Sequence, residues 1–205
     1  FFVGDDSADL NFDLAALPSG WLAAADLAHF GCISLVREPH ASRLLATAEE
    51  VHAAHKRICF DPNYRNLMEK GFLPTLTRLC KIADYIKVSD EDLQGLFPRE
   101  SREGALAALR ALAPRAQILF TMGAQGMRLL APGKEYQQPA FPVKVADTVG
   151  AGDASMGGWV ASMLTRPEAP PEAHVRFAAA TAAVVCQHHG AYAPTEAEVR
   201  ALLGE

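Results

Sequence analysis

Apolar residues recur along this chain in two alternating rhythms. Over 38–56, Leu44, Leu45, Ala48, Val51 and Ala54 fall at helical spacing, after a short apolar run at 29–35 that reads as a buried strand. The unit then repeats, with 57–61 as a strand stopped by Pro62, 72–82 as a helix and 85–88 as another short strand. An Ala- and Leu-rich helix over 101–112 precedes the apolar strand 117–120. Strands separated by helices favour a parallel sheet covered by helices, so the expected class is α/β with a mostly parallel sheet. From 127 to 145 the pattern changes to short strands divided by Pro132-Gly133 and by 139–142, which predicts antiparallel additions at one edge. Helices over 152–164, 171–188 and 195–203 close the chain, the first two rich in small residues suited to close packing. No internal repeat, low-complexity tract or linker breaks this order, and 1–205 is expected to form a single domain.

Composition narrows the function classes. With 205 residues and 50% hydrophobic content, the chain can bury the core of one ordinary domain. Its net charge is -5 and its Lys and Arg residues are scattered, which leaves no basic footprint for a nucleic-acid backbone. No apolar run reaches the ~18 to 20 residues of a membrane span, so no membrane partner is expected. Cys32, Cys59, Cys80 and Cys186 lie far apart without a CxxC pair, which predicts reduced thiols in a cytoplasmic protein rather than a disulfide framework or structural metal. Phe1-Phe2-Val3 reads as a strand already under way, without Met or a charged leader, so the chain is expected to be a piece of a longer protein.

The sharpest chemistry lies at Asp147-Thr148-Val149-Gly150-Ala151-Gly152-Asp153, a glycine-rich turn that runs into the 152–164 helix. A helix start leaves N–H groups unpaired and carries positive potential, so an anionic phosphate is its natural ligand. Asp153, in the first turn, can share that point, and a base beside an anion hole is what phosphoryl transfer to an alcohol requires. The plainer reading is that Asp153 only caps the helix and the glycines only make the turn. A dinucleotide fingerprint would need Gly where Ser155 stands, and a P-loop would need Gly-Lys-Ser/Thr, which is absent.

This turn resembles the C-terminal signature of pfkB/ribokinase-family carbohydrate kinases. Asp61-Pro62-Asn63-Tyr64-Arg65 resembles the family's Asp-Pro-Asn-x-Arg strand end, Lys87-Val88-Ser89-Asp90-Glu91-Asp92 its magnesium-associated region, and Thr121-Met122-Gly123-Ala124-Gln125-Gly126 its Thr-x-Gly-x-x-Gly nucleotide loop. His29-Phe30-Gly31 and Lys87-Val88-Ser89 give the resemblance a bacterial fructokinase flavour. It implies a ribokinase-like αβα sandwich whose first strands and small lid lie outside this chain. It also implies an ATP-dependent sugar kinase, most readily a fructokinase, with ketodeoxy-sugar-acid and nucleoside kinases as near alternatives. A nucleotide-binding remnant without catalysis is the alternative from another class.

Carried over by position, Asp153 is the expected base and Gly150, Ala151 and Gly152 the anion hole. The nucleotide is expected on Ser89, Thr121, Gly123, Gly126 and Ala179, although Thr-x-Gly-x-x-Gly also suits an ordinary turn. Asn63 and Arg65 are expected at phosphate or substrate, with a surface ion pair as the other role for Arg65. Mg²⁺ is expected near Asp92 through water, although Ser89 and Asp92 replace the family's Asn and Glu and equally suit a helix cap. The resemblance places K⁺ among Asp147, Val149, Val185, His188 and Gly190. His188 and His189 are adjacent and cannot share a helix face, which argues against a histidine metal pair. Sugar and ATP are the expected partners, and the full-length protein is expected to be compatible with a homodimer.

Overall fold

The chain divides into two compact units, 1–117 and 118–205. The structure, a computed structural model, describes residues 11–31, 33–65, 68 and 70–205. The strand expected at 1–3 and the thiol of Cys32 lie outside these residues.

The first unit opens with a short α1 (Trp21–Ala24) and continues β1 (Leu27–Gly31), α2 (His40–Ala53), β2 (Arg57–Asp61), α3 (Leu73–Ile82), β3 (Tyr85–Ser89), α4 (Asp90–Leu96) and α5 (Arg102–Leu112). β1 pairs with β2, and β2 with β3, in parallel, as the alternation of strand and helix predicts. β2 is buried from Ile58 to Asp61, the continuous run a strand shows when both of its faces are covered. α2 turns Leu44, Leu45, Ala48 and Val51 inward, and α5 turns Ala105, Leu106 and Leu109 inward. Each Leu so buried stabilises the fold by about 1.5–3 kcal/mol. The strand expected over 29–35 stops at Gly31, and Ile33–Leu35 is a 3-10 helix. Leu35 reaches the core from that turn, and an apolar run this short has no period that separates the two conformations.

The second unit holds β4 (Gln117–Thr121), β5 (Met127–Ala131), β6 (Lys134–Gln138), α6 (Ala151–Thr165), α7 (Pro171–Cys186) and α8 (Glu196–Leu203). β4, β5 and β6 are antiparallel neighbours, Thr121 facing Met127 and Ala131 facing Lys134, so edge strands form on either side of Pro132-Gly133. The further strand expected after 142 does not form, and 139–145 runs without regular structure. The helix expected over 171–188 ends at Cys186, where the Gln187 N–H turns back onto the Val184 and Val185 carbonyls.

α6 and α7 meet at Gly158. A Cβ there would lie 2.5 Å from Thr181 Oγ1 and 2.8 Å from Thr181 Cβ. Thr181 cannot swing aside cheaply, since it is buried and its hydroxyl donates to the Phe177 carbonyl at 2.8 Å. Gly158→Ala is therefore expected to destabilise the protein by about 1–3 kcal/mol, seen as a shift of the urea midpoint. An unshifted midpoint would show that the helices can part without loss.

α8 packs Val199 and Leu203 on Phe177, Ala180 and Val184. Its capping box joins Thr195 to Glu198, and Tyr192 Oη donates to Glu198 Oε1 at 2.6 Å. The Thr195 hydroxyl, then the Tyr192 hydroxyl and the Thr195 N–H, hold the Glu198 carboxyl down at about 2. A depressed acid stabilises the fold above its ordinary pKa, and that contribution fades as pH falls from the usual carboxylate range through about 2. A carboxyl NMR titration is expected to place the Glu198 midpoint nearer 2 than 4.5, and Thr195→Ala to move it upward.

Cys59 and Cys80 are buried free thiols, each pushed up to about 12 chiefly by burial, and Cys186 is half-buried and free. Among the described residues no helix is long and apolar enough to cross a membrane.

Candidate active site

The glycine-rich turn is built around one carboxylate and one left-handed residue. Asp147 Oδ1 accepts the N–H groups of Thr148 at 2.7 Å and Val149 at 3.2 Å, and Oδ2 accepts the Gly190 N–H at 2.9 Å. These bonds, that of Gly190 foremost, hold the Asp147 carboxyl below its usual range. Two segments far apart in sequence are thereby tied at the entry to α6. Gly150 caps that helix at φ 81° without any side-chain bond, a conformation that disfavours a Cβ. The Ala151 N–H donates to the Thr148 carbonyl at 3.1 Å, closing the turn. Gly152 and Asp153 follow in the first turn, whose N–H groups have no carbonyl four residues back to bond. Asp153 is exposed.

Beside this helix start lies a cavity of about 610 Å³, within the roughly 300–1,000 Å³ of small-molecule sites. Thr121, Gly123 and Gly126 border it from the loop after β4, and Ala151, Gly152 and Ser155 from α6. Ala179, Ala182, Ala183 and Cys186 border it from one face of α7, at the three- and four-residue steps of a helix. Thus Thr121, Gly123, Gly126 and Ala179, named from sequence, meet Ala151 and Gly152 around one space. Asp153 stands outside the lining, which separates its carboxylate from the room where a larger ligand fits.

The segment after β6 also borders this space, through Phe141, Pro142, Val143 and Val145. Its function was not legible in sequence, where the prolines read only as breaks between edge strands. The available signal was the cluster of Phe141, Pro142, Val143 and Val145 around the single charge of Lys144.

Gly126 shapes the loop. Its φ of 89° and ψ of -140° suit glycine alone, and a Cβ would lie 2.1 Å from the Gln138 carbonyl oxygen. The Met122 N–H donates to the Gly126 carbonyl at 2.9 Å and the Gly126 N–H to the Gly123 carbonyl at 3.0 Å, closing Gly123–Gln125 as a 3-10 turn.

Asn63, Arg65, Ser89 and Asp92 belong to the first unit. Ser89 caps α4 in a capping box, its hydroxyl accepting the Asp92 N–H at 3.0 Å while Asp92 Oδ2 accepts the Ser89 N–H at 2.8 Å. The other Asp92 oxygen accepts the Tyr64 N–H at 2.7 Å. Lys87 lies beneath, 3.2 Å from Asp61 Oδ2 and 3.8 Å from Asp92 Oδ2, and all three side chains are about 5% exposed. Burial pushes Asp61 up to about 6, with the Lys87 ammonium pulling it down and Asp92 pushing it up. Asp61 and Lys87 were read from sequence only as parts of motifs; a buried Lys between two acids is a product of tertiary packing. Asp92, with both oxygens taken by backbone N–H groups, does not fit an inner-sphere metal ligand and forms the helix cap its spacing also suggests. Among the described residues no group of three His, Cys, Asp or Glu is placed to hold a metal ion.

The His188 ring stacks on Tyr192, centroids 3.8 Å apart, and the Val185 carbonyl accepts the His188 N–H at 3.0 Å. His188 is thus part of the helix end that Asp147 holds through Gly190.

The first unit is thus a parallel α/β layer, and the second holds a small-molecule cavity beside a glycine-rich helix start with an acid in its first turn. The chain belongs to the pfkB family of carbohydrate kinases, whose family model matches residues 1–198. Fructokinase-1 of Oryza sativa subsp. japonica is 30% identical over 98% of this chain and 66% of its own length. Among solved structures, the fructokinase of Xylella fastidiosa with bound ATP superposes at a TM-score of 0.84 with 25% identity, over 97% of this chain and 67% of that one. The fructokinase of Vibrio cholerae O395, in a form with fructose, ADP and calcium ion bound, superposes at 0.76 with 26% identity, over 86% of this chain and 60% of that one. The fold is the ribokinase-like α/β fold. The chain spans about two thirds of the length of the rice relative.

Proposed function

We propose that the protein containing this chain transfers the γ-phosphoryl group of ATP to a sugar hydroxyl in the cytoplasm, that fructose is the acceptor, and that residues 1–205 work as its nucleotide-binding and catalytic domain. One observation carries the reading: the cavity bordered by Gly126 and Ala179 reaches the first turn of α6 at Gly152, and Asp153 stands just outside it. In this reading the nucleoside rests between the 121–126 loop and the small-residue face of α7, and its phosphates point at the helix start. Of the anion hole expected at Gly150, Ala151 and Gly152, the Ala151 N–H is already bonded to the Thr148 carbonyl. The N–H groups of Gly152 and Asp153 are therefore read as holding charge that develops on the transferring group. The Asp153 carboxylate takes the proton of the attacking hydroxyl. Asn63 and Arg65 are read as ligands of an anionic group of substrate, for which a guanidinium is suited.

ATP would be used with Mg²⁺, which supplies neutralisation of phosphate charge, and Asp92 would act on it only through water. A K⁺ among Asp147, Val149, Val185, His188 and Gly190 belongs to the same reading through the family resemblance alone, since both Asp147 carboxylate oxygens already accept backbone N–H groups. Fructose as acceptor rests on the fructokinases among the relatives.

The test is an ADP-release assay on the full-length protein with ATP, Mg²⁺ and a panel of fructose, ribosides and ketodeoxy sugar acids. Turnover that requires fructose, with a fructose phosphate as product, is the expected result. Nucleotide binding without turnover on any acceptor would overturn the reading in favour of a non-catalytic module.

A further inference from the structure

We propose that Lys87 is a positioning residue: by pairing with Asp61 and Asp92 it fixes the loop 62–65 and, with it, the guanidinium of Arg65. The use of that guanidinium rests on the proposed function; the fixing of the loop does not. Each carboxylate in the cluster works at two places. Asp61 offers Oδ2 to Lys87 and accepts the Asn63 N–H on Oδ1 at 3.0 Å. Asp92 faces Lys87 with Oδ2 and accepts the Tyr64 N–H on Oδ1. Consecutive residues of the loop thus hang from two acids that one ammonium joins. Asn63 adopts φ 37°, a left-handed turn that Asn tolerates better than most residues and that its N–H bond to Asp61 fixes in place. Arg65 Nη1 then donates to Asn63 Oδ1 at 2.6 Å and to the Tyr64 carbonyl at 2.8 Å, so its head group is located by the backbone those acids locate. The Tyr64 ring closes the other side against α4, where a Cβ on Gly95 would clash with it.

Removing the ammonium leaves two buried carboxylates near one another with no positive charge between them, which the chain can relieve only by moving the loop or protonating an acid. A shift of about 1 Å at a substrate-positioning group can cost on the order of 10²-fold in rate. The loop effect and the rate effect are therefore separate readouts of one cause.

The experiment compares Lys87→Met, Lys87→Arg, Arg65→Ala and the Lys87→Met/Arg65→Ala double variant in the full-length protein. Amide hydrogen exchange is read at Asn63 and Tyr64 against the amides of β2, together with kcat/KM. Lys87→Met is expected to speed exchange at both loop amides by about tenfold or more while β2 stays protected. It is also expected to lower kcat/KM about 10- to 100-fold, with most of the loss recovered by Lys87→Arg. The double variant should lose less than the product of the two single losses, because part of what Lys87 does passes through Arg65. Unchanged loop exchange overturns the proposal, as does a Lys87→Met loss that simply multiplies that of Arg65→Ala. Should Lys87→Met fail to fold, Asp61→Ala decides, since it removes the acceptor of the Asn63 N–H: faster exchange at Asn63 with Tyr64 still protected supports the clamp, and no change at Asn63 overturns it. If the wild-type protein transfers no phosphoryl group while Lys87→Met still frees the loop, the functional reading fails and the clamp stands.

Discussion

In the full-length protein, Asp153→Asn is expected to lower kcat by about 10²- to 10⁴-fold, the usual worth of a general base, and to leave nucleotide affinity nearly unchanged. The substitution keeps the shape of the side chain and its ability to accept a hydrogen bond, and removes only the basicity. Asp153 is exposed and does not border the cavity, so nothing the nucleotide touches there is altered. A cap role predicts the opposite ranking, since Asn serves the start of a helix as well as Asp and little activity would be lost. Stopped-flow turnover and nucleotide titration on the same preparation separate the two. A variant retaining more than about a tenth of the wild-type rate lies outside the range for a general base and would return Asp153 to the helix.

Gly126→Ala is expected to have the largest effect on folding of any single methyl added near the site, about 2–6 kcal/mol from combined backbone strain and overlap. The added carbon would meet the Gln138 carbonyl oxygen at 2.1 Å, the Ala140 nitrogen at 2.7 Å and the Pro139 carbonyl carbon at 2.8 Å. All of these are main-chain atoms, so no side chain can rotate away. Gly123→Ala is the control: it too has a positive φ, of 52°, but nothing lies within 4 Å of its Cβ position, and about 1 kcal/mol is expected. Urea unfolding of both variants measures the difference. If Gly126→Ala unfolds at the wild-type midpoint, the contact between the 121–126 loop and the chain after β6 is not what shapes the cavity.

Much of this arrangement was readable before any coordinates, where a local signal and a tertiary one agree. The strand Arg57–Asp61 ends where Pro62 removes a donor, and α8 starts after Thr195 because Thr195 and Glu198 cap each other. Ser89 and Asp92 form the cap their spacing suggests. Thr121, Gly123, Gly126 and Ala179 were identified as a set through a resemblance, and it is folding that gathers them around one space. What sequence left dark depends on partners distant in the chain. Phe141, Pro142, Val143 and Val145 become a wall only when α7 lies opposite, and Lys87 becomes a buried clamp only when β2 and the start of α4 supply its acids. The strand expected through Leu35 failed for the same reason, because burial there comes from packing and carries no alternation to read.

The small-residue face of α7 has a consequence for selectivity. Ala179, Ala182 and Ala183 present methyl groups, and Pro142, Val143 and Val145 present hydrocarbon. Side chains of this kind sort guests by volume, since each extra methylene refused or accepted in such a pocket is worth about 1–3 kcal/mol. They offer no donor or acceptor with which to tell an amino group from a carbonyl on a purine ring. If the proposed nucleotide occupies this cavity, discrimination between ring substituents falls to the rest of the lining, the main chain and Thr121, Thr148, Ser155 and Cys186, while this face acts as a mould.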